Sequence, residues 1–236
     1  MQEILGLMRN AIDKYNMIEN GDKIAVAVSG GKDSVVLLAG MAGLKRFYPK
    51  QFELVAITLD PCFNSKETDY SRIEELCGRL NVPYHIKRTD LGDVIFRERE
   101  EKNPCSLCAR MRRGILHDTA KEYGCNKIAL GHHMDDAVET FIMNLFMGGQ
   151  IGSFSPVSYL SRKDLYMIRP MILAEERIVE NVLKRNNLPV VKSECPVDGI
   201  TERQNTKELL KELEEKYPAL RQKIIGAMQK GNISKW

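Results

Sequence analysis

The stretch Ile24-Ala25-Val26-Ala27-Val28-Ser29-Gly30-Gly31-Lys32-Asp33-Ser34 decides how this chain is read. An apolar run rich in valine reads as a buried strand, and it turns through Ser29-Gly30-Gly31 into a helix beginning near Lys32. Adjacent glycines let the backbone take positive φ and come close to a ligand. The helix start behind them offers unpaired N–H groups and the positive end of its dipole. Lys32 adds a full charge, and Ser29 and Ser34 add hydroxyl donors. The chemistry is that of a phosphate cradle. The competing reading is a ligand-free strand-to-helix turn in which Asp33 only complements the dipole. The spacing is neither that of the common Gly-x4-Gly-Lys-Ser/Thr loop nor that of the three-glycine dinucleotide fingerprint.

Outward from this turn, strand and helix patterns alternate: strand 23–28, helix 32–47, strand 53–59, helix 66–80, strand 83–88, helix 104–123, strand 127–131, helix 135–147. Such alternation predicts an α/β fold, a doubly wound parallel sheet of about five strands with helices on both faces. A helix over 3–18, with Ile4, Leu7, Met8, Ala11, Ile12 and Tyr15 on one face, packs on the domain before Asn20-Gly21 ends it. Residues 148–164, with Gly148, Gly149, Gly152 and Pro156, read as a long mobile loop. A helix at 174–187, a short strand at 189–191 and two helices within 205–230 follow. The division expected is 1–22 as an N-terminal helix, 23–204 as the main domain, and 205–236 as a C-terminal helical segment.

The chain's 236 residues, 43% of them hydrophobic, suffice for one well-buried α/β core. No apolar stretch has the length of a membrane span, and the opening residues carry charge too early for a signal peptide, so the expected compartment is the cytoplasm, with no membrane partner. There the six cysteines are better read as metal ligands, catalytic groups or core residues than as disulfides. A formal charge of +3 does not by itself point to nucleic acid, although Arg110, Arg112 and Arg113 cluster beside two cysteines. Lysines of the tail are interleaved with glutamates, the pattern of a solvated helical face.

In α/β sheets ligands sit beyond the carboxyl ends of the strands, where strand order reverses. This rule gathers the Ser29 loop, Leu59-Asp60 and Gly131-His132-His133 around one pocket. Asp135 and Asp136, at the next helix start, then bring ionisable side chains to that pocket, or else merely cap the helix. A mononuclear zinc or iron site on His132 and His133 is a weaker alternative. Asn103-Pro104-Cys105-Ser106-Leu107-Cys108 reads as a helix start with Asn103 as N-cap and both thiols on one face of the first turn. Two such ligands make half of a tetrahedral zinc site or much of an iron–sulfur cluster. Cys195 sits in a loop, where Pro196 stops a helix from forming around it. Cys62, Cys77 and Cys125 have no paired spacing and read as core or incidental residues.

Ser29-Gly-Gly-Lys-Asp-Ser34 resembles the loop of the PP-loop ATPases, which have an adenine nucleotide alpha hydrolase-like fold. Together with Cys105-Ser-Leu-Cys-Ala-Arg-Met-Arg-Arg-Gly114, Gly131-His-His-Met-Asp-Asp136, Gly148-Gly149, Ile168-Arg-Pro170 and the Cys195 segment with Arg203, it resembles the tRNA 2-thiocytidine synthetase family over most of the chain. The resemblance implies an ATP-dependent tRNA sulfurtransferase. Such enzymes adenylate a base carbonyl, here the C2 oxygen of a cytidine, and replace that oxygen with sulfur delivered through a [4Fe–4S] cluster. It implies ATP and Mg2+ as cofactors and tRNA as partner. A sulfur donor, either a cysteine desulfurase or free sulfide, and a homodimer complete the implied partners.

Carried onto this sequence, the resemblance implies that Cys105, Cys108 and Cys195 hold the cluster, leaving one iron without a protein ligand. Ala27, Val28, Ser29, Gly30, Gly31, Lys32, Asp33, Ser34, Leu59, Gly131 and Asp136 bind ATP. Asp33, Asp135, Asp136 and Arg112 are the catalytic candidates. Relatives with Cys-x-x-Cys in the last motif differ from this chain, which has Lys192 at the earlier position. The chain also lacks the cysteine-rich zinc fingers of the 2-thiouridine-forming branch. Two other functions compete: a PP-loop ATP pyrophosphatase acting on a small molecule with a zinc or iron–sulfur site, and a nucleotide-binding redox sensor.

Overall fold

The computed structural model describes residues 1–95, 104–192, 194–195 and 202–236. Its centre is a six-stranded sheet in the order β3-β2-β1-β4-β6-β5. The strands are β1 (Asp22–Ala27), β2 (Phe52–Asp60), β3 (Tyr84–Arg88), β4 (Lys127–Ala129), β5 (Val157–Leu160) and β6 (Leu165–Ile168). All adjacent pairs run parallel except β5 with β6. The helices are α1 (Gln2–Lys14), α2 (Lys32–Lys45), α3 (Ser71–Leu80), the single turn α4 (Leu91–Asp93), α5 (Pro104–Glu122), α6 (Met134–Gly148), α7 (Glu176–Arg185), α8 (Glu202–Lys216) and α9 (Leu220–Lys230).

Side chains along β1 alternate between two cores, as a pleated strand requires. Ile24 and Val26 join a large cluster containing Leu37, Leu38 and Met41 of α2, while Ala25 joins a smaller one under α5 with Ile57, Ala120 and Ile128. Residues of α1, α8 and α9, such as Ile4, Leu210 and Met228, belong to the same large core, as does Trp236. Among the described residues no helix is long and apolar enough to cross a membrane.

Successive strands run outward from β1 to β3, and β4 then starts on the other side of β1. The reversal between β1 and β4 opens a crevice beyond their carboxyl ends, where the Ser29 loop and Gly131 emerge. Six strands replace the expected five: four stand where expected, 189–191 forms none, and β5 and β6, too short to show in the sequence pattern, are added. The segment 148–164 is therefore not one long mobile loop. It contains β5 and is tied down by its own polar groups: the Ser153 hydroxyl donates to the Ala137 carbonyl (2.9 Å), and Trp236 Nε1 donates to the Phe154 carbonyl (3.0 Å).

The helix expected from residue 66 begins at Ser71. Thr68 is captured by Asp60, its N–H and hydroxyl reaching the two carboxylate oxygens at 3.0 and 3.2 Å, and this competes with a helical turn. No strand forms at 189–191. That segment meets the sheet end through one backbone bond, from the Val191 N–H to the Gly30 carbonyl (3.0 Å). The N-cap expected at Asn103 lies outside the described residues.

At the opposite, amino-terminal end of the sheet, Lys127 and Asp22 form a buried ion pair with 2.8 Å between Nζ and Oδ2. Lys127 also donates to the Met17 carbonyl, and Asn126 Nδ2 and the Glu19 N–H donate to Asp22. Removing one partner strands the other charge in the interior. Asp22→Ala should therefore cost about 3–5 kcal/mol in urea unfolding. The double change with Lys127→Met should recover most of that loss; a single-variant loss below about 1 kcal/mol would rule the pair out as a fold determinant.

Candidate active site

The loop leaving β1 is shaped by two serines. Ser34 donates its hydroxyl to the Gly31 carbonyl (2.8 Å) and accepts from the Ser29 N–H (3.1 Å) and the Ser29 hydroxyl (3.2 Å). Gly31 is the N-cap of α2 and has no side chain to satisfy the first-turn amides, so they remain available to an anion. Gly30 has φ +87°, and a Cβ there would lie 2.9 Å from the Cβ of Val191. A Cβ on Gly131 would lie 3.1 Å from the Asp33 carbonyl carbon and the Ser34 nitrogen, so the end of β4 packs against the start of α2 with backbone alone.

Lys32 reaches Asp33 at 2.8 Å and Glu176, at the start of α7, at 2.9 Å. Burial opposes the Lys32 charge, but the two carboxylates outweigh it and raise its pKa. Glu176 also pairs with Lys207 of α8 at 2.6 Å. Burial works against this carboxylate too, yet Lys207 and Lys32 bring it down to about 2. Neither Glu176 nor Lys207 is visible as a site residue in the sequence, because each sits in an ordinary amphipathic helix far from the glycine motif.

The aspartates of α6 divide. Asp135 gives one oxygen to Arg221 Nε (2.9 Å) and the other to the Glu176 N–H (2.7 Å), so it ties α6 to α7 and α9. Asp135 is one of the catalytic candidates of the sequence reading, and its two oxygens are engaged by these donors. Successive helical residues point about 100° apart, so Asp135 faces α7 and α9, with His133 Nδ1 3.7 Å away, while Asp136 faces the His133 amide and α8. Asp136 accepts the His133 N–H (3.0 Å) and is approached by Arg203 Nη1 (3.4 Å). It thus caps α6 while staying at the sheet end. His133, almost fully buried, has Nε2 3.7 Å from Asp33 and 3.6 Å from Asp136, and bridges the two motifs. His132 stacks on Phe154 with ring centroids 4.8 Å apart. Burial, aided by Arg169, lowers its pKa to about 4, so it is neutral near pH 7.

Two cavities flank the loop. The first, about 220 Å³, is lined by Ala27, Val28, Ile57, Leu59, Ala109 and Leu116, with Ser29, Arg112 and Arg113 at its polar side. The second, about 430 Å³, is lined by Ser29, Gly31, Pro61, Phe63, Thr68, Tyr70, Arg112, Val190, Val191, Lys192, Glu194 and Cys195. Ser29 and Arg112 belong to both. Asp60 lies under the floor of the second cavity and holds its 61–68 wall through Cys62 and Thr68.

All six cysteines are unbridged. Cys105 and Cys108 occupy the first turn of α5, the former exposed and the latter buried. Burial pushes the Cys108 thiol up, Arg112 pulls it down through charge and a hydrogen bond, and the nearby Cys195 and Cys105 push it up again. Cys108 is therefore near enough to feel both Cys105 of its own turn and Cys195, which lines the second cavity. Among the described residues no three His, Cys, Asp or Glu side chains gather tightly enough for a single metal ion. A cubane cluster binds each cysteine at a different corner and suits a wider set of sulfurs. Cys77 and Cys125 are buried in the two main cores.

A phosphate-binding loop at the switch point of a parallel sheet, flanked by an apolar cavity, defines a nucleotide-binding α/β protein of the PP-loop class. The profile of the PP-loop domain family matches residues 5–212. The tRNA-cytidine(32) 2-sulfurtransferase of Geobacter sulfurreducens is 38% identical over 238 positions, covering 98% of this chain and 90% of that one. Its counterpart in Syntrophotalea carbinolica is 40% identical, with 98% and 89% covered. The chain belongs to this family of tRNA-cytidine 2-sulfurtransferase enzymes. Its fold is that of the U34-tRNA thiolase NcsA from Methanococcus maripaludis, solved with its [4Fe–4S] cluster: TM-score 0.80 at 24% identity, over 97% of this chain and 77% of that one. The NH3-dependent NAD synthetase of Campylobacter jejuni shares the core more distantly, with TM-score 0.50 and 16% identity over 97% and 93% of the two chains.

The two shifted groups predict separate pH windows. From the ordinary 6.5 down to about 4 the unfolded chain protonates His132 and the folded one does not, so stability falls with acidification. His132→Gln should flatten that limb. Between the ordinary 4.5 and about 2, Glu176 stays ionised only in the fold, and the stability from its ion pairs is lost as pH falls. Glu176→Gln should remove this second limb alone. Urea midpoints across pH that are the same for wild type and both variants would refute the assignment.

Proposed function

We propose that the protein is an ATP-dependent tRNA sulfurtransferase that converts a cytidine to 2-thiocytidine by adenylating its C2 oxygen. The observation that carries this reading is the partition between the two cavities. One side offers an apolar slot beside a phosphate loop, the other offers Cys195, and Ser29 and Arg112 face both. Relatives at 38–40% identity that are named for this reaction support it.

In the first step the C2 oxygen of the base attacks the α-phosphorus of ATP, forming an O–P bond as pyrophosphate leaves. In the second a sulfide nucleophile attacks C2, forming the C–S bond as AMP leaves with the oxygen. Adenylation is needed because a ring carbonyl oxygen is a poor leaving group until it carries phosphate. The adenosine rests between Ile57 and Leu59 on one side and Ala109 and Leu116 on the other, with Ala27 and Val28 beneath. The amides of Gly30, Gly31 and Lys32, the Ser29 and Ser34 hydroxyls and the Lys32 ammonium face the phosphates, and Glu176 holds Lys32 in place. Asp33 and Asp136, with His133 between them, are the carboxylates placed to hold Mg2+ on the phosphates. Gly131 lets these two motifs approach.

Cys105, Cys108 and Cys195 fit a [4Fe–4S] cluster. When bound, such a cluster supplies an iron corner with no cysteine ligand, a place to keep the incoming sulfur nucleophilic and away from water. Arg112 contacts Cys108 and lines both cavities, so it steadies the negative charge that builds on the leaving phosphate. Asp135 is a structural tether in this scheme.

Anaerobically purified protein should contain about four irons and four sulfides and turn over ATP to AMP and pyrophosphate only with tRNA. Cys195→Ala should lose the iron and the thiolation while keeping ATP affinity. Lys32→Ala should weaken ATP binding about 10- to 100-fold, the equivalent of one charge-assisted hydrogen bond, with iron unchanged. Mass analysis of tRNA nucleosides from a strain lacking the gene decides the substrate: 2-thiocytidine should vanish. Its persistence, with ATP turnover stimulated by a small molecule, would favour the small-molecule reading.

A further inference from the structure

Arg169 is buried, with 5% of its surface exposed, one residue past the carboxyl end of β6. Its Nη1 donates to the Ser155 carbonyl (2.6 Å) and approaches the Ser158 hydroxyl (3.4 Å). The guanidinium carbon lies 4.8 Å from the centroid of Phe154. Its buried Nε has no partner among the described residues. Other deeply buried cations find carboxylates: Lys127 has Asp22, and Arg221 has Asp135. Arg169 has none. The charges that act on it come from Arg113, and burial with that repulsion brings its pKa down to about 10. Its histidine neighbour, His132, has a buried Nδ1 that also lacks a partner.

Keeping a guanidinium out of water without a counter-charge is unfavourable. A fold that keeps one at the ligand-binding end of its sheet is arranged for an anion that arrives from outside. The planar fork suits phosphate oxygens, and the Phe154 ring fixes the plane. The triphosphate is served elsewhere. β6 lies two strands from β1, about 10 Å across the sheet, while the Ser29 loop has its own amides, hydroxyls and lysine. Arg113 of α5, whose charge acts on Arg169, lines the 220 Å³ cavity beside the loop.

We propose that Arg169, flanked by Arg113 and His132, anchors a phosphodiester of the substrate RNA next to the nucleotide that enters the site. The proposal rests on the tRNA reading above. It gives the Ile168-Arg-Pro170 motif a role in gripping the RNA backbone, separate from ATP and from the cysteines.

The test uses unthiolated tRNA from a strain lacking the gene and, separately, a non-hydrolysable ATP analogue. Binding of each is measured across a salt series for wild type, Arg169→Gln and Arg169→Lys, with Tm recorded. Arg169→Gln should weaken tRNA binding about tenfold and reduce the slope of log K against log salt by about 0.7–0.9, the share of one phosphate contact. Its affinity for the ATP analogue should stay within about twofold of wild type. Arg169→Lys keeps the charge and loses the fork, so it should retain the slope and lose part of the affinity. Should Arg169→Gln fail to fold, Arg169→Lys decides: unchanged tRNA affinity overturns the proposal. A weakened ATP analogue with an unaltered tRNA slope overturns it in favour of a nucleotide phosphate. Unaltered binding of both leaves Arg169 a structural residue. Wild-type protein that does not bind tRNA at all overturns the tRNA reading itself, and shows this without any variant.

Discussion

The hydrogen bond from the Val191 amide to the Gly30 carbonyl, made possible because Gly30 has no side chain, is the constraint on which the site depends. It does two things with one contact. It holds the phosphate loop in its left-handed turn, and it brings the segment after α7 across the end of the sheet. Cys195 follows four residues later, which is how a thiol far along the chain comes to act on Cys108 of α5. Any side chain at position 30 would collide with Val191 and strain the backbone, so the loop and the cysteine set would be disturbed together.

Around this contact the charges form a relay of alternating sign. Asp33, Lys32, Glu176 and Lys207 link α2, α7 and α8, and Asp135 with Arg221 adds α6 and α9. The C-terminal helices therefore do more than cover the core: they hold the glutamate that orients the loop lysine. Surface pairs of this kind contribute little singly, but a partly buried network keeps side chains from swinging away from a ligand.

The features legible in the sequence were those with local causes. The Ser29-Gly30-Gly31 turn, the alternating strands and helices and the pairing of Cys105 with Cys108 each follow from neighbouring residues. What escaped depended on distant partners. β5 and β6 are four residues each and acquire their strand character by pairing with one another and with β4, which a short glycine-rich segment does not announce. The start of α3 moved because Asp60, eight residues earlier, competes for Thr68. Asp135 and Asp136 looked alike as neighbours, and only the packing of other helices on α6 gave them different partners, Arg221 and the Glu176 amide for one and Arg203 for the other. Glu176 and Lys207 carry no sequence signal of their own, and Arg169 showed only as one member of a motif, because their meaning lies in which charges surround them.

Arg112 is part of two chambers at once, and this has a thermodynamic consequence. Whatever fills one chamber alters the field and the posture of a side chain that the occupant of the other also meets. Reciprocity then requires that each guest change the affinity of its counterpart by the same factor. Crosstalk of this kind needs no hinge and no second subunit. A single guanidinium in a shared wall is enough to couple the filling of the two chambers.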